Sequence, residues 1–318
     1  MQVLIRNLVV LFIALSAFEA GGQAIAIPRD TSFNIPATFI KEKKKRPYIT
    51  VADPARPKHV RLEKDIVFRT VDGRALVLDI FYPRQTRKRK PAVLLIFGGG
   101  WKSGDKTHNH AMATKLAENG YVAVSAEYRL SPEIQYPAAV YDLKAAIRWM
   151  RANAKHYGID TGKIAALGCS AGGQLAALLG TTNHDPHFED KTGNTAYAAT
   201  VQAVVDIDGT LAFHHPESVE GTVAAEWLGG TYEEKPETWT EAAPLEHVDS
   251  NTCPFLFINS SIPRFHAGRD DMIRKMDALR IYSEIHTLDD TPHPFWFFNP
   301  WFEPMMGYIT GFLTKQFK

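Results

Sequence analysis

Ile164-Ala165-Ala166-Leu167-Gly168-Cys169-Ser170-Ala171-Gly172-Gly173 reads as a short apolar run that stops at a turn of small residues. Gln174–Leu179, just beyond, has a helical pattern, so the turn stands between a strand and a helix. In that setting Gly168-x-Ser170-x-Gly172 is a nucleophile elbow. The geometry asks for glycine twice: the serine backbone is strained, and side chains two residues away would strike the adjoining strand and helix. The turn lifts the Ser170 hydroxyl to a helix N-terminus, where the dipole and free amides favour developing negative charge. Small-residue turns are common, and it is the flanking strand and helix that make this one specific.

Outward from the elbow, strand and helix periods alternate. Val60–Thr70 and Ala75–Tyr82 read as strands joined at Asp72-Gly73, a hairpin signal. Ala92–Phe97 is continuously apolar, as a strand buried on both faces should be. Lys106–Glu118 reads as a helix, Val122–Ala126 as a strand, and Ala138–Asn153 as a helix with Val140, Leu143, Ile147 and Met150 on one stripe. Further strands are expected at Val201–Ile207, Phe255–Asn259 and Tyr282–His286, and further helices at Arg269–Leu279 and Trp301–Phe317. Thr210–Asp249 has mixed period and is expected to cover the site as an insertion. Such alternation means an α/β fold: a mostly parallel central sheet with helices on both faces.

Composition narrows the class. The 318 residues are 45% hydrophobic and 22% charged, an ordinary globular profile, and one large domain over residues 58–318 is expected. A formal net charge of +1 gives no field toward nucleic acid or a membrane surface. Two cysteines, Cys169 and Cys253, cannot make a disulfide scaffold, and their places on the predicted strands leave them unpaired. At the N-terminus, Arg6 precedes the apolar run Leu8–Leu15 and then small residues around Ala24-Ile25-Ala26. That is the pattern of a secretory signal peptide over residues 1–26, too short to span a membrane, and it implies export to a periplasm or the medium. Residues 27–57, rich in proline and carrying the basic run Lys41–Arg46, read as an extended, loosely attached lead-in.

A second signal lies in Phe97-Gly98-Gly99-Gly100-Trp101, directly after a buried strand. Consecutive glycines leave backbone N–H groups unobstructed, and the amides of Gly99, Gly100 and Ala171 together are candidates for an oxyanion hole. A phosphate loop does not fit, because no Gly-Lys-Ser/Thr follows.

With these stretches, the chain resembles α/β-hydrolases of the hormone-sensitive-lipase and carboxylesterase type, in particular bacterial esterases of plant-wall acyl esters. The likeness covers about residues 58–318 and rests on Phe97–Trp101, Tyr128-Arg129-Leu130-Ser131-Pro132-Glu133, the helix around Asp142 and Trp149, Tyr157-Gly158-Ile159-Asp160 and Gly168–Gly173. Phe97 is a departure, since the family usually has histidine there. The resemblance implies a serine esterase with no cofactor, and no ligand cluster has the spacing of a metal site.

The fold requires its general base after the last strand, and His293 in Thr291-Pro292-His293-Pro294-Phe295-Trp296 is so placed. His286 lies inside a strand and reads as structural, while His214 and His215 read as polar surface or substrate contacts. The third member is open. The family's aspartate past Phe255–Asn259 falls here in Ser260-Ser261-Ile262-Pro263-Arg264, which has no carboxylate. Asp208, at a strand end before Gly209, and Asp270, at the start of a helix where it could equally be an N-cap, are the substitutes. Asp208 is favoured, because a strand end is rigid and borders the site. Arg264, His266 and Arg269 are candidate substrate contacts; either arginine could clamp a carboxylate or pair with Asp270 or Asp271. Trp101 joins them, and Trp296, Phe297, Phe298 and Trp301 read more as core than as sugar platforms.

The expected activity is hydrolysis of acyl esters on plant-wall oligo- or polysaccharide, with acetyl or methyl esters of pectin-like chains favoured. Acetyl-xylan or feruloyl ester hydrolysis is the near alternative. A formamidase-like amidase shares the Gly-Trp loop, and a non-catalytic hydrolase-fold binding protein would have to keep serine, base and glycines without using them. Nucleic-acid partners and stable membrane insertion are not expected, and the sequence leaves the oligomeric state open.

Overall fold

The computed structural model describes residues 30–84, 88–190, 192–219 and 221–318. The expected signal peptide lies outside the described residues. The lead-in departs from its expected extended form. Helix α1 (Ile35–Lys43) starts where the Asn34 side chain accepts the Ala37 amide at 2.9 Å, and Pro36 sits in its first turn. Strand β1 (Thr50–Val51) follows. No residue of α1 is fully buried, and only Ile35 and Phe39 pack half-buried against the core, too short an apolar stripe for a periodicity reading to find. Nor is the segment loosely held: Ile49 is fully buried, and the Phe33 amide donates to Ser103 Oγ at 3.0 Å.

Strands β2 (Val60–Val71) and β3 (Arg74–Pro83) form the hairpin turned at Asp72-Gly73, where Asp72 and Gly73 have φ of 50° and 77°. After them come β4 (Lys90–Ile96), α2 (His110–Glu118), β5 (Val122–Ala126), α3 (Ala138–Ala152) and the short α4 (Ala154–Tyr157). The elbow strand β6 (Ile159–Cys169) leads into α5 (Ala171–Thr181), and β7 (Ala203–Ile207) follows. The insertion carries α6 (Gly221–Leu228) and α7 (Pro236–Glu241). Strand β8 (Phe255–Ser260), helix α8 (Arg269–Ala278), strand β9 (Ser283–Leu288), the two-residue β10 (Phe298–Asn299) and α9 (Phe302–Gln316) complete the chain. Where one helix was expected from Lys106, the first turn is 3₁₀ over Lys106–Asn109, entered through Asp105, whose side chain accepts the Thr107 amide.

The main sheet has eight strands in the order β2-β3-β5-β4-β6-β7-β8-β9. Only the β2–β3 and β3–β5 pairings are antiparallel; every pairing from β5 to β9 is parallel. The pleat divides the core in two. Leu94, Ile96 and Ala166 pack on one face with α3 and α5, while Val93, Leu95, Ala165 and Leu167 pack on the other with α2 and α9. A parallel sheet covered on both faces explains why β4 reads as unbroken apolar sequence. Separately, β1 pairs antiparallel with β10, tying the lead-in to the segment just after His293. Cys169 and Cys253 are both buried and free. Among the described residues, no helix is long and apolar enough to cross a membrane.

Candidate active site

Strands β6, β7 and β9 bring the site together beyond their carboxyl ends. Ser170 is the single residue between β6 and α5, with φ 56° and ψ −124°. Such a conformation costs about 1–3 kcal/mol for a residue with a side chain. The turn is pinned by the Ser170 amide, which donates to Ile207 O on β7 at 2.7 Å. The flanking glycines are required by contact. A Cβ on Gly168 would lie 1.9 Å from Gly172 O, and one on Gly172 would lie 2.2 Å from Ile96 O.

Asp208 follows the end of β7, with φ 53° and a carboxylate 1% exposed. Its Oδ1 accepts the Ser260 amide of β8 at 2.8 Å, and its Oδ2 lies 2.9 Å from His293 Nδ1. His293 stands in the loop after β9, and its Nε2 lies 2.8 Å from Ser170 Oγ. Ser170, Asp208 and His293 are therefore one hydrogen-bonded line, and they run in the chain order Ser, Asp, His. Asp270 is not brought to the histidine. Its side chain is exposed and takes the Arg269 guanidinium at 2.8 Å, and the helix cap is Gly268 rather than Asp270.

The glycine loop lies against the serine. A Cβ on Gly98 would sit 3.0 Å from Ser170 Cβ and 2.5 Å from Cys169 O. Gly99 and Gly100 have φ of 138° and 60°, and the Gly99 carbonyl accepts the amides of Lys102 and Ser103. Ala171 is the first residue of α5, so its amide has no acceptor within the helix. Phe97, in the family's histidine position, is buried and stacks on Tyr128 at 4.4 Å, and the Tyr128 hydroxyl donates to Phe97 O at 2.9 Å. Arg129 beside it grips the fully buried Asp142 through Nε and Nη2 at 2.9 and 3.1 Å, which fixes the following loop to α3.

The remaining candidates divide. Trp101 is buried, 2% exposed, and stacks on Trp227 at 4.9 Å; its indole edge is spent on Gln174, so it offers no face to a substrate as the sequence reading had it. Arg269 donates to Asn259 Oδ1 and to Asp270 at 2.8 Å each, a structural pairing. Arg264 is exposed, its guanidinium 3.9 Å over the Phe265 ring. His266 is half-buried; desolvation, then the nearby Arg269 charge, lower its pKa. His215 pairs with Asp271 at 3.0 Å, and His214 stacks on Tyr232 at 3.7 Å. Both line a cavity of about 840 Å³ with Phe213, Val219 and Trp239, inside the insertion that covers the glycine loop. That covering is close: a Cβ on Gly100 would lie 2.9 Å from Val223 Cγ1. His286 stacks on Tyr308 at 3.8 Å, and Trp296, Phe297, Phe298 and Trp301 are core.

Two supporting residues carry no signal in the sequence. Gln174 of α5 accepts from Trp101 Nε1 at 2.9 Å and donates to Ala242 O at 2.8 Å, tying the glycine loop to the insertion. Asp206 lies fully buried below the elbow, its Oδ1 accepting the Gly209 amide at 3.0 Å. Desolvation, with the charge of Asp208 adding to it, raises the Asp206 pKa well above the usual carboxylate range.

Similarity to known proteins agrees with this architecture. The chain is 35% identical over 198 residues to esterase LipC of Mycobacterium tuberculosis, covering 60% of this chain and 49% of that protein. It is 28% identical over 208 residues to the probable carboxylic ester hydrolase LipM of the same organism, covering 64% and 46%. The chain thus spans about half the length of the curated relatives it matches. Among solved structures, a truncated carbohydrate esterase from gut microbiota superposes with a TM-score of 0.67 at 24% identity, covering 83% of this chain and 98% of that one. Apo esterase 2 of Thermogutta terrifontis gives a TM-score of 0.68 at 24% identity, covering 82% and 96%. These likenesses show the fold, which is that of the α/β-hydrolases. The family model described as BD-FAE matches residues 78–276, more than half of the chain and all of the elbow and glycine loop, and the chain belongs to that family.

Proposed function

We propose that this protein is a serine-dependent carboxylic ester hydrolase. One observation carries the reading: Ser170 Oγ, both nitrogens of His293 and Asp208 Oδ2 form a continuous line at 2.8 and 2.9 Å. Ser170 Oγ attacks the ester carbonyl while His293 Nε2 takes its proton. Asp208 holds the other nitrogen as N–H and stabilises the imidazolium. The amides of Gly99, Gly100 and Ala171 receive the developing oxyanion. Collapse expels the alcohol, protonated by His293, and leaves an acyl-serine. Water, deprotonated by the same nitrogen, then releases the acid and restores the hydroxyl.

The substrate proposed is an acylated plant-wall carbohydrate met after export, with acetyl or methyl esters of a pectin-like chain favoured. Support comes from the name of one structural neighbour, a carbohydrate esterase, and from the exposed Arg264 one residue from the ring that covers His293. A uronate gives a guanidinium a charged partner, which a neutral xylan does not. The second reading, an acetyl-xylan or feruloyl ester, draws on the 840 Å³ cavity, whose Phe213, Tyr232 and Trp239 suit a ring.

The test is reaction of the purified protein with a fluorophosphonate and with a short acyl ester. Ser170→Ala should abolish the label and lower turnover by several orders of magnitude while the fold persists. Activity retained in that variant would overturn the reading. For substrate, release of acetate, methanol and ferulate from acetylated pectin, methylated pectin and arabinoxylan is compared, with Arg264→Ala beside wild type. The pectin reading expects the variant to lose activity on pectins far more than on the small ester.

A further inference from the structure

Two hydrogen bonds, at Nδ1 and Nε2, fix where the His293 ring lies but leave its tilt about the line joining them to whatever touches its faces. One face is occupied. The Phe265 ring lies against it with centroids 3.4 Å apart and planes 11° from parallel. Trp296 adds an edge contact at 5.2 Å and 88°. Phe265 is itself covered, by the Arg264 guanidinium 3.9 Å from its centroid. Two groups so close to one centroid cannot share a face, so Phe265 is sandwiched between guanidinium and imidazole. Arg264 and Phe265 come from a 3₁₀ turn, Pro263–His266, in the stretch where the family pattern expects a carboxylate.

We infer that Phe265 is a positioning residue for His293, setting the ring tilt that keeps the Nε2 lone pair aimed at Ser170 Oγ and presenting an aromatic face to the imidazolium formed in each half-reaction. The physical grounds are two. A small misplacement of a proton-transfer group lowers turnover steeply, because the reaction needs a narrow range of geometries. The face of an aromatic ring is also the negative end of its quadrupole, which attracts a cation placed over it. The imidazolium exists only after Ser170 has given up its proton, so the contact favours the transition state over the resting enzyme. Phe265 acts through the His293 ring it stacks on. This assignment rests on the ester-hydrolase reading.

The experiment compares wild type with Phe265→Leu and Phe265→Tyr on a short, neutral acyl ester, measuring kcat and KM separately with fluorophosphonate labelling rate and melting temperature. Leucine keeps apolar volume but removes the flat face; tyrosine keeps the face. The expected result for Phe265→Leu is a kcat lower by about 10- to 100-fold with KM little changed. Labelling should slow in step, and melting should shift by a few degrees at most. Phe265→Tyr should restore most of the turnover. A kcat for Phe265→Leu within about twofold of wild type, a loss confined to KM, or a tyrosine variant as poor as the leucine one overturns the role. Wild-type protein that neither hydrolyses the ester nor takes the label overturns the ester-hydrolase reading as well, so the two failures are distinguishable.

Discussion

Asp208 Oδ2 lies 2.9 Å from His293 Nδ1, and the same carboxylate's other oxygen accepts the Ser260 amide at 2.8 Å. The acid is therefore held by β8 while it holds the histidine. Asp208→Asn keeps an oxygen for Ser260 but offers Nδ1–H a group that can present the wrong atom. Turnover should fall by about 10⁴-fold with little change in melting. Asp270→Asn, at an exposed ion pair, should leave kcat within about twofold. Steady-state kinetics on one ester decides, and the reverse ranking would move the role to Asp270.

Gln174 satisfies a buried indole N–H and a buried carbonyl at once. Gln174→Leu leaves both without partners, at about 1–3 kcal/mol for each group. Denaturant unfolding should show a loss of about 2–6 kcal/mol. Because Trp101 follows Gly100 directly, kcat should fall as well, beyond what the stability loss explains. A variant as stable and as active as wild type would remove the link between loop and insertion.

Asp79 gives the protein an acid-sensitive point away from the site. Burial works to raise its pKa, but hydrogen bonds from His110, Lys106 and the Asp65 amide prevail and hold it at about 2. A depressed carboxylate stabilises the fold above its unfolded value and loses that stability as pH falls through the folded one. The window thus runs from about pH 4 down to about pH 2, for a contribution of about 2 kcal/mol. Asp79→Asn should be less stable at neutral pH and show a shallower loss across that window in urea titrations at stepped pH.

Asp206 has the opposite sign. Its raised pKa means the folded chain keeps a proton that the unfolded chain releases above about pH 4. Stability is then spent as pH rises toward the raised value. Asp206→Asn keeps an acceptor for the Gly209 amide and has no proton to lose. Its melting temperature should gain on wild type as pH rises above about 4, and parallel curves would contradict a protonated Asp206.

How legible this was depended on whether a residue's role is local. The elbow, the glycine loop and the strands around them follow from short patterns, since buried parallel strands and close backbone approaches leave few residue choices. Val122–Ala126 was readable to the residue because it is buried on both faces. Helix α1 was not, because in its nine residues only Ile35 and Phe39 pack against the core, too short a period to detect. Choosing Asp208 over Asp270 needed only the rigidity of a strand end. Arg269 was open between a substrate carboxylate and a pair with Asp270 or Asp271, and in the fold it pairs with Asp270 and Asn259. Trp101 was read as a substrate contact, and nothing in a loop sequence tells that Trp227, 126 positions on, will cover its face. Gln174 and Phe265 act across long separations, where single-sequence patterns carry nothing.

Where the glycine loop meets the elbow, the nearest neighbours are main chain: Ile96 O and Phe97 O against Gly172, Cys169 O against Gly98. Apart from Ser170 itself, whose Cβ lies 3.0 Å from where a Gly98 Cβ would stand, these contacts are backbone, so substitution has little there to work with, and adaptation to a different ester must come from the rim. The 213–239 region and the turn at Pro263–His266 are the parts with side chains to exchange, one bounding a cavity and the other bearing on the histidine. A library aimed at new substrates belongs in the first of these; the second couples any gain in recognition to a change in the base itself.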